Sequence, residues 1–172
     1  KSGAFEIKDM AAEFPSLTAS AQALGMKGVD AVAKLTAALQ IARKGAATGS
    51  EAATNTANLM AKVISPETTK KFAKVGINIR KELKKTQKEG GDVFEMIAHL
   101  VTKATKGDLS KLGDFFQDEQ VAKFLRPLIA NLDEYRRIRD GANKAVGVVA
   151  ADFARRAKTF ESTLARFRGA AE

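Results

Sequence analysis

Residues 118–140 read DEQVAKFLRPLIANLDEYRRIRD. Within them Val121, Leu125, Leu128, Leu132, Tyr135 and Ile138 recur at steps of three and four. That spacing places them on one face of an amphipathic α-helix. Asp118 stands immediately before the run, where a side-chain oxygen can cap the first free N–H groups. Pro127 lies inside the run; a proline there kinks a helix or leaves a carbonyl unpaired. The spacing therefore predicts a helix from about 118 to 140 that bends near its first third.

Beyond Gly141 the periodicity resumes. Val146, Val149, Phe153, Ala157, Phe160, Leu164 and Phe167 step by 3, 4, 4, 3, 4 and 3, close to a heptad seam. Arg155, Arg156, Lys158, Arg166 and Arg168 lie off that seam. A helix of ~25 residues is ~37 Å long and would overhang a compact domain. The expected organisation is a compact helical domain over 1–140 and an amphipathic arm over 141–172. Val146, Val149, Phe153, Phe160, Leu164 and Phe167 are the candidate helix-packing or oligomer seam. Burying one phenylalanine is worth about 2 kcal/mol, so exposure of the seam carries a cost. It can fold back on the 118–140 helix or pair with a second copy.

Upstream, the same logic gives more helices. Apolar stripes run through Val29, Val32, Leu35 and Leu39, then Leu59, Val63 and Ile64, then Val93, Met96, Ile97, Leu100 and Val101. Ser65-Pro66-Glu67 supplies an N-cap, a first-turn proline and a first-turn acid. Thr48 and Glu51 have capping-box spacing, and Asp108 suits another N-cap. Pro15 is read as opening a helix over 15–24. Gly25, Gly45, Gly76, Gly107, Gly141 and Gly169 each follow a helical run and suit left-handed C-caps. Residues 77–92 are less determined. Ile77-x-Ile79 alternation and Gly90-Gly91 allow a small β-hairpin or a loop, while Leu83 among Lys81, Lys84, Lys85 and Lys88 allows a short solvated helix. The expected class is all-α, with about seven or eight helices and a long C-terminal helical arm.

The chain has 172 residues and a net charge of +9, with 29 Lys and Arg against 20 Asp and Glu. A chain of this size buries roughly 70% of its unfolded surface, enough for a core without cross-links. It has no Cys and one His, which excludes disulfides, thiolate chemistry and histidine-rich metal sites. No run approaches ~18 apolar residues, so no membrane-spanning helix is expected. It starts at Lys1 without an apolar leader and reads as a piece of something longer. No phosphate-binding glycine motif occurs, and Gly45-Ala-Ala-Thr-Gly49 reads as a turn. His99 reads as a surface or boundary residue, and Asp114, Asp118 and Glu119 lack the pattern of a calcium loop. No catalytic residue, cofactor or metal is assigned, and the chain is not expected to be an enzyme.

Two functions compete for the positive charge. Nucleic-acid binding would use the run Lys70, Lys71, Lys74, Lys81, Lys84, Lys85 and Lys88, or Arg136, Arg137 and Arg139. The arginines, however, share a helix with Asp133, Glu134 and Asp140, which repel phosphates. Weak non-specific binding at low salt remains compatible with this charge. Cell-wall lysis is the less favoured alternative; it would need a carboxyl with a raised pKa among Glu51, Glu95 and Glu161. Much of the remaining charge has a local role, because cations in a helix's last turn complement its dipole.

In order along the chain come several further features. An Ala-rich segment ends in Gly25-Met26, and a helix follows over 29–42. Gly49-Ser50-Glu51-Ala52-Ala53-Thr54-Asn55 opens the next helix, and Ser65-Pro66-Glu67 leads to Phe72-Ala73-Lys74-Val75-Gly76-Ile77. Last come Phe116-x-Asp118 and Leu128-Ile129-Ala130-Asn131-Leu132-Asp133-Glu134-Tyr135. From about Phe14 to Asp140 this order and spacing resembles the core region of phage tail tape measure proteins. The Lys-rich segment 81–89 departs from the family, which usually has a shorter turn or hairpin there. The resemblance implies a virion structural protein: one fragment of a long helical ruler that sets tail length and takes part in tail assembly and genome delivery. It implies other tail proteins (tube, tail tip, assembly chaperones) and self as partners. The implied location is the virion tail, and the bacterial host cytoplasm during assembly.

Overall fold

The computed structural model describes the backbone of residues 7–145 and 147, and side chains from residue 12 onward. Its helices are α1 (Ile7–Ala23), α2 (Gly28–Ala42), α3 (Gly49–Lys62), α4 (Pro66–Lys74), α5 (Ile79–Lys88), α6 (Val93–Thr105), α7 (Leu112–Phe115) and α8 (Glu119–Ala130). A further helix, α9, covers residues 132–145. Short 3-10 turns follow α2 at Arg43–Gly45 and precede α7 at Leu109–Lys111. Among the described residues there is no strand, in agreement with the all-α expectation. The seam residues Val146, Val149, Phe153, Phe160, Leu164 and Phe167 lie outside the described residues, as do Glu161 and Gly169.

The central helix is α3, packed against α1, α2 and α8. Its sequence explains the position: Gly49, Ala52, Ala53 and Thr56 are small, and let neighbouring helices approach closely on several sides. A second layer packs α5 on α6 and α4 on both α5 and α7, and α6 meets α8. Phenylalanines join these pieces. Phe72 of α4 lies 4.8 Å from Phe115 and 5.8 Å from Phe116 between ring centroids. Phe94 of α6 lies 5.8 Å from Phe124 of α8 and 6.1 Å from Tyr135 of α9. Such tilted and edge-on pairs suit the ring quadrupoles.

The caps follow the sequence closely. Ser65 accepts from Thr68 N, Thr48 from Glu51 N, Asp108 from Ser110 N and Asp118 from Gln120 N. In the Thr48 box Glu51 reaches one residue further back than usual, accepting from Ala47 N at 2.7 Å. Gly25, Gly76 and Gly107 take positive φ, as C-cap glycines do.

One open alternative is decided and four expectations are corrected. First, of the hairpin, loop and short helix left open near 77–92, the structure has the helix, α5. Asn78 caps it by accepting from Lys81 N, and Ile79 and Leu83, one turn apart, are both buried. Gly90 and Gly91 end this helix instead of turning a hairpin, with Gly90 at φ 66° and Gly91 N donating to Thr86 O at 2.8 Å. Second, the bend in 118–140 falls at Asn131, not in the first third. Asn131 has φ −126° and ψ 36°, and its Nδ2 donates to Pro127 O at 2.7 Å. An asparagine side chain here competes with the backbone for the helix's own carbonyl. Third, α1 begins upstream of Pro15 and contains it; Ser16 Oγ donates to Glu13 O and Thr18 Oγ1 to Phe14 O across the proline turn. Fourth, Gly45 and Gly141 are not left-handed caps. Gly141 is inside α9, and Gly45 lies where a Cβ would strike the carbonyl of Lys123, one turn before Pro127. Pro127 has no N–H for that carbonyl, and Gly45 lets the chain approach it. Fifth, Val29 and Val32 are exposed, at 46% and 40%. Helix α2 instead turns Ala31, Leu35, Ala38, Leu39 and Ala42 inward.

Candidate functional site

The described residues concentrate their charge chemistry in two places. One is a clamp between the start of α6 and the middle of α9. Asp92 is the N-cap of α6: its Oδ1 accepts from Phe94 N at 2.8 Å and Glu95 N at 3.1 Å. Its Oδ2 accepts from Tyr135 Oη at 2.7 Å and Arg139 Nη1 at 2.9 Å. One turn along, Glu95 accepts from Arg136 Nε at 2.9 Å and also pairs with Arg139 Nη1. The helical spacing of 135, 136 and 139 brings these three side chains to one face of α9. The side chain of Asp92 is only 7% exposed, that of Arg139 17% and that of Glu95 19%.

Burial opposes the charge on Glu95, but hydrogen bonds from Arg136 and Arg139 outweigh it and hold its pKa below the ordinary range. Burial likewise opposes the charge on Arg139, and Asp92, Asp140 and Glu95 overcome it, holding the guanidinium above its usual value. Tyr135 is pushed well up, by burial and then by the neighbouring Asp92 carboxylate. Beside the clamp, Lys34 Nζ donates to Gly91 O at 2.9 Å and pairs with Asp30. A cavity of about 370 Å³ lies here, lined by Asp30, Lys34, Gly91, Asp92, Glu95 and Arg139. The Asp92, Glu95 and Arg139 in its wall already pair with one another.

Sequence reasoning considered Arg136, Arg137 and Arg139 for nucleic acid and Glu95 for acid catalysis. The fold turns Arg136 and Arg139 onto Glu95 and leaves Arg137 exposed. Glu51 is held low, first by the Ala47 N–H and then by Lys123 at 3.0 Å. A glycosidase acid needs the opposite shift. His99 is exposed on α6. Asp118 caps α8 and Glu119 pairs with Arg126. Asp92 and Tyr135 were missed as partners. The signals present were Asp92 directly before the apolar run from Val93, and Tyr135 at a core position of the 118–140 stripe.

The second place is the outer face of α4 and α5. Lys70, Lys74, Lys81, Lys84, Lys85 and Lys88 are all exposed. None of the six side chains has an ion pair or hydrogen bond among the described residues. Their neighbours Lys71 and Arg80 are taken, by Glu67 at 2.9 Å and by Ile64 O at 3.1 Å. The inner face of the same helices buries Thr68, Phe72, Ile79 and Leu83.

Comparison with known proteins gives a consistent result. No solved structure matches the chain. The "Probable tape measure protein" of Burkholderia phage BcepMu is 28% identical over 195 aligned residues, covering 98% of this chain. The chain spans about 23% of that relative's length. A family model described as phage-related minor tail protein matches residues 1–126. This match spans all the helices from α1 to α7 and most of α8, and the chain belongs to the phage-related minor tail protein family.

Proposed function

We propose that this chain is a folded helical module of a tape measure protein, a structural component of a phage tail. The observation that carries the reading is the family match across residues 1–126, together with similarity over 98% of the chain to a protein named as a probable tape measure protein. The side chains agree with a structural role: the buried charges of the α6–α9 clamp fix one helix on another. The whole parent protein sets tail length and takes part in tail assembly and genome delivery. Its partners are other tail proteins, and it resides in the virion tail after assembly in the host cytoplasm. The module does no chemistry of its own.

An in-frame deletion of this segment in the phage that encodes it tests the reading. An α-helix advances 1.5 Å per residue, so an extended helical segment of this length accounts for about 260 Å of tail. Tails shortened by up to that amount, or absent, are expected in electron micrographs. Infectious particles with tails of unchanged length would refute the proposal.

The seam Val146, Val149, Phe153, Phe160, Leu164 and Phe167 belongs to the same proposal as the packing or self-association surface of the module. Sedimentation of the chain with and without residues 142–172 separates the two modes. A change from oligomer to monomer on truncation supports pairing between copies; a monomer in both cases sinks it.

A further inference from the structure

We infer that the outer face of the α4–α5 hairpin binds duplex nucleic acid through its phosphates, without reading sequence. Over residues 66–91 the chain carries eight Lys and Arg and three Asp and Glu. Elsewhere many cations are matched to acids: Lys34 to Asp30, Lys44 to Glu134, Lys123 to Glu51, Arg126 to Glu119, Arg139 to Asp92. Lys27, Lys62, Lys103, Lys106, Arg137 and Lys144 are exposed without an ion pair among the described residues as well, but nowhere in a run as dense as that of α4 and α5. On this face Lys70, Lys74, Lys81, Lys84, Lys85 and Lys88 stand exposed and unmatched. Glu67 is held by Lys71, Glu82 is half-buried, and Glu89, the third acid, is exposed with no partner among the described residues. Helix ends do not require all of these cations, since one or two in a last turn complete the dipole.

The kind of partner follows from what the face lacks. A protein interface needs an apolar centre within some 1,200 Å² or more of buried surface. A helix lying on lipid needs an apolar face to insert. Here the apolar face of α4 and α5 is turned into the core, and Val75 is the one exposed large hydrophobic residue of the hairpin. Single-stranded nucleic acid is held by stacking on aromatic side chains. Phe72, the hairpin's one aromatic residue, is 1% exposed. Attraction of lysines to a dense row of phosphates needs neither, because it draws on release of counterions. Lysines one turn apart, as Lys81, Lys84, Lys85 and Lys88 are, line up such point charges along a helix. Base reading would need Arg, Asn or Gln held against base edges. The hairpin's arginine, Arg80, is directed to the Ile64 carbonyl.

Fluorescence anisotropy of the full chain with a labelled 30-base-pair duplex of arbitrary sequence tests this, read from 50 to 200 mM NaCl. With four to six phosphates neutralised, log K falls against log salt with a slope of about −4 to −5, roughly 100-fold or more weaker binding across that range. The Lys81→Gln/Lys84→Gln/Lys85→Gln/Lys88→Gln variant, checked for unchanged circular dichroism, is expected to lose at least tenfold at 50 mM and most of the slope. Lys84→Arg/Lys85→Arg keeps the charge and should bind as the parent does. Absence of binding at 50 mM, or an unchanged slope in the folded quadruple variant, overturns the inference. So does equal or tighter binding of polyglutamate, of phosphatidylserine vesicles or of a single strand, each of which assigns the face to a different partner. Loss of binding in Arg155→Gln/Arg156→Gln/Lys158→Gln but not in the quadruple variant also overturns it.

Discussion

Asp92 receives four donors from two helices, so its loss has two separable costs. Removing an N-cap costs about 0.5–2 kcal/mol, and leaving a buried donor without an acceptor about 1–3 kcal/mol. Asp92→Ala should therefore lower stability by about 3 kcal/mol in urea unfolding. Asp118→Ala, which removes a cap alone, should cost about 1 kcal/mol. Tyr135→Phe should cost less than Asp92→Ala, because the carboxylate keeps Arg139. Asn55 presents the reverse case. It is fully buried in α3, and both its amide atoms lack hydrogen-bond partners among the described residues. Replacing such a group with an apolar one of similar shape removes a desolvation cost. Asn55→Leu should raise the Tm; a fall of several degrees would show that the space does not accept the side chain. At Gly45 the constraint is steric. A methyl group there meets the Lys123 carbonyl, so Gly45→Ala should destabilise by about 1–3 kcal/mol, as overpacking does.

At the scale of elements, α9 is held to α6 by the pairs of Arg136 and Arg139 with Asp92 and Glu95, beside the packing of Tyr135 on Phe94. Its docking should therefore respond to pH. The Glu95 pKa is lowered in the folded state, so the unfolded chain binds its proton more readily. The stabilisation is present above the unfolded value of about 4.3 and is lost as pH falls through the folded value. Asp133 and Asp140 lie beside the same arginines. Tyr135 is the chain's one tyrosine, and there is no tryptophan, so near-ultraviolet dichroism reports α9 docking directly. That signal should weaken below about pH 4. In alkali the phenol should resist ionisation beyond the ordinary tyrosine value of about 10, and absorb as phenolate only when the fold opens. Ionisation at the ordinary pH in a folded protein would place Tyr135 outside the clamp. The break between α8 and α9 has a chemical cause in Asn131, whose side chain takes the Pro127 carbonyl.

For the whole molecule, the +9 charge divides into roles that composition could not separate. Cations before Gly76 and Gly107, unlike Arg139 before Gly141, which lies inside α9, were readable from sequence as helix-end charges, because a last turn and its glycine are local features. So were Ser65, Thr48, Asp108 and Asp118 as caps, and the core positions of the 118–140 stripe. The helix at 79–88 was not resolved, since Ile77-x-Ile79 fits a strand as well as a turn leading into a helix. Asn78 and the burial of Leu83 decide it. Val29 and Val32 were misplaced because α2 has an apolar residue on nearly every side, and only its neighbours determine which side faces in. The sequence by itself determined the all-α class, most caps and the family, because these rest on spacing within a dozen residues and on the order of motifs. Pairs one helical turn apart, such as Lys34 with Asp30 and Lys71 with Glu67, follow from spacing, but tertiary structure alone decided which charges are matched between elements. Asp92 and Arg139 are 47 residues apart, and pairing across such a distance depends on how α6 and α9 pack. The same packing leaves the α4–α5 lysines facing outward, with no acid among the described residues brought against them.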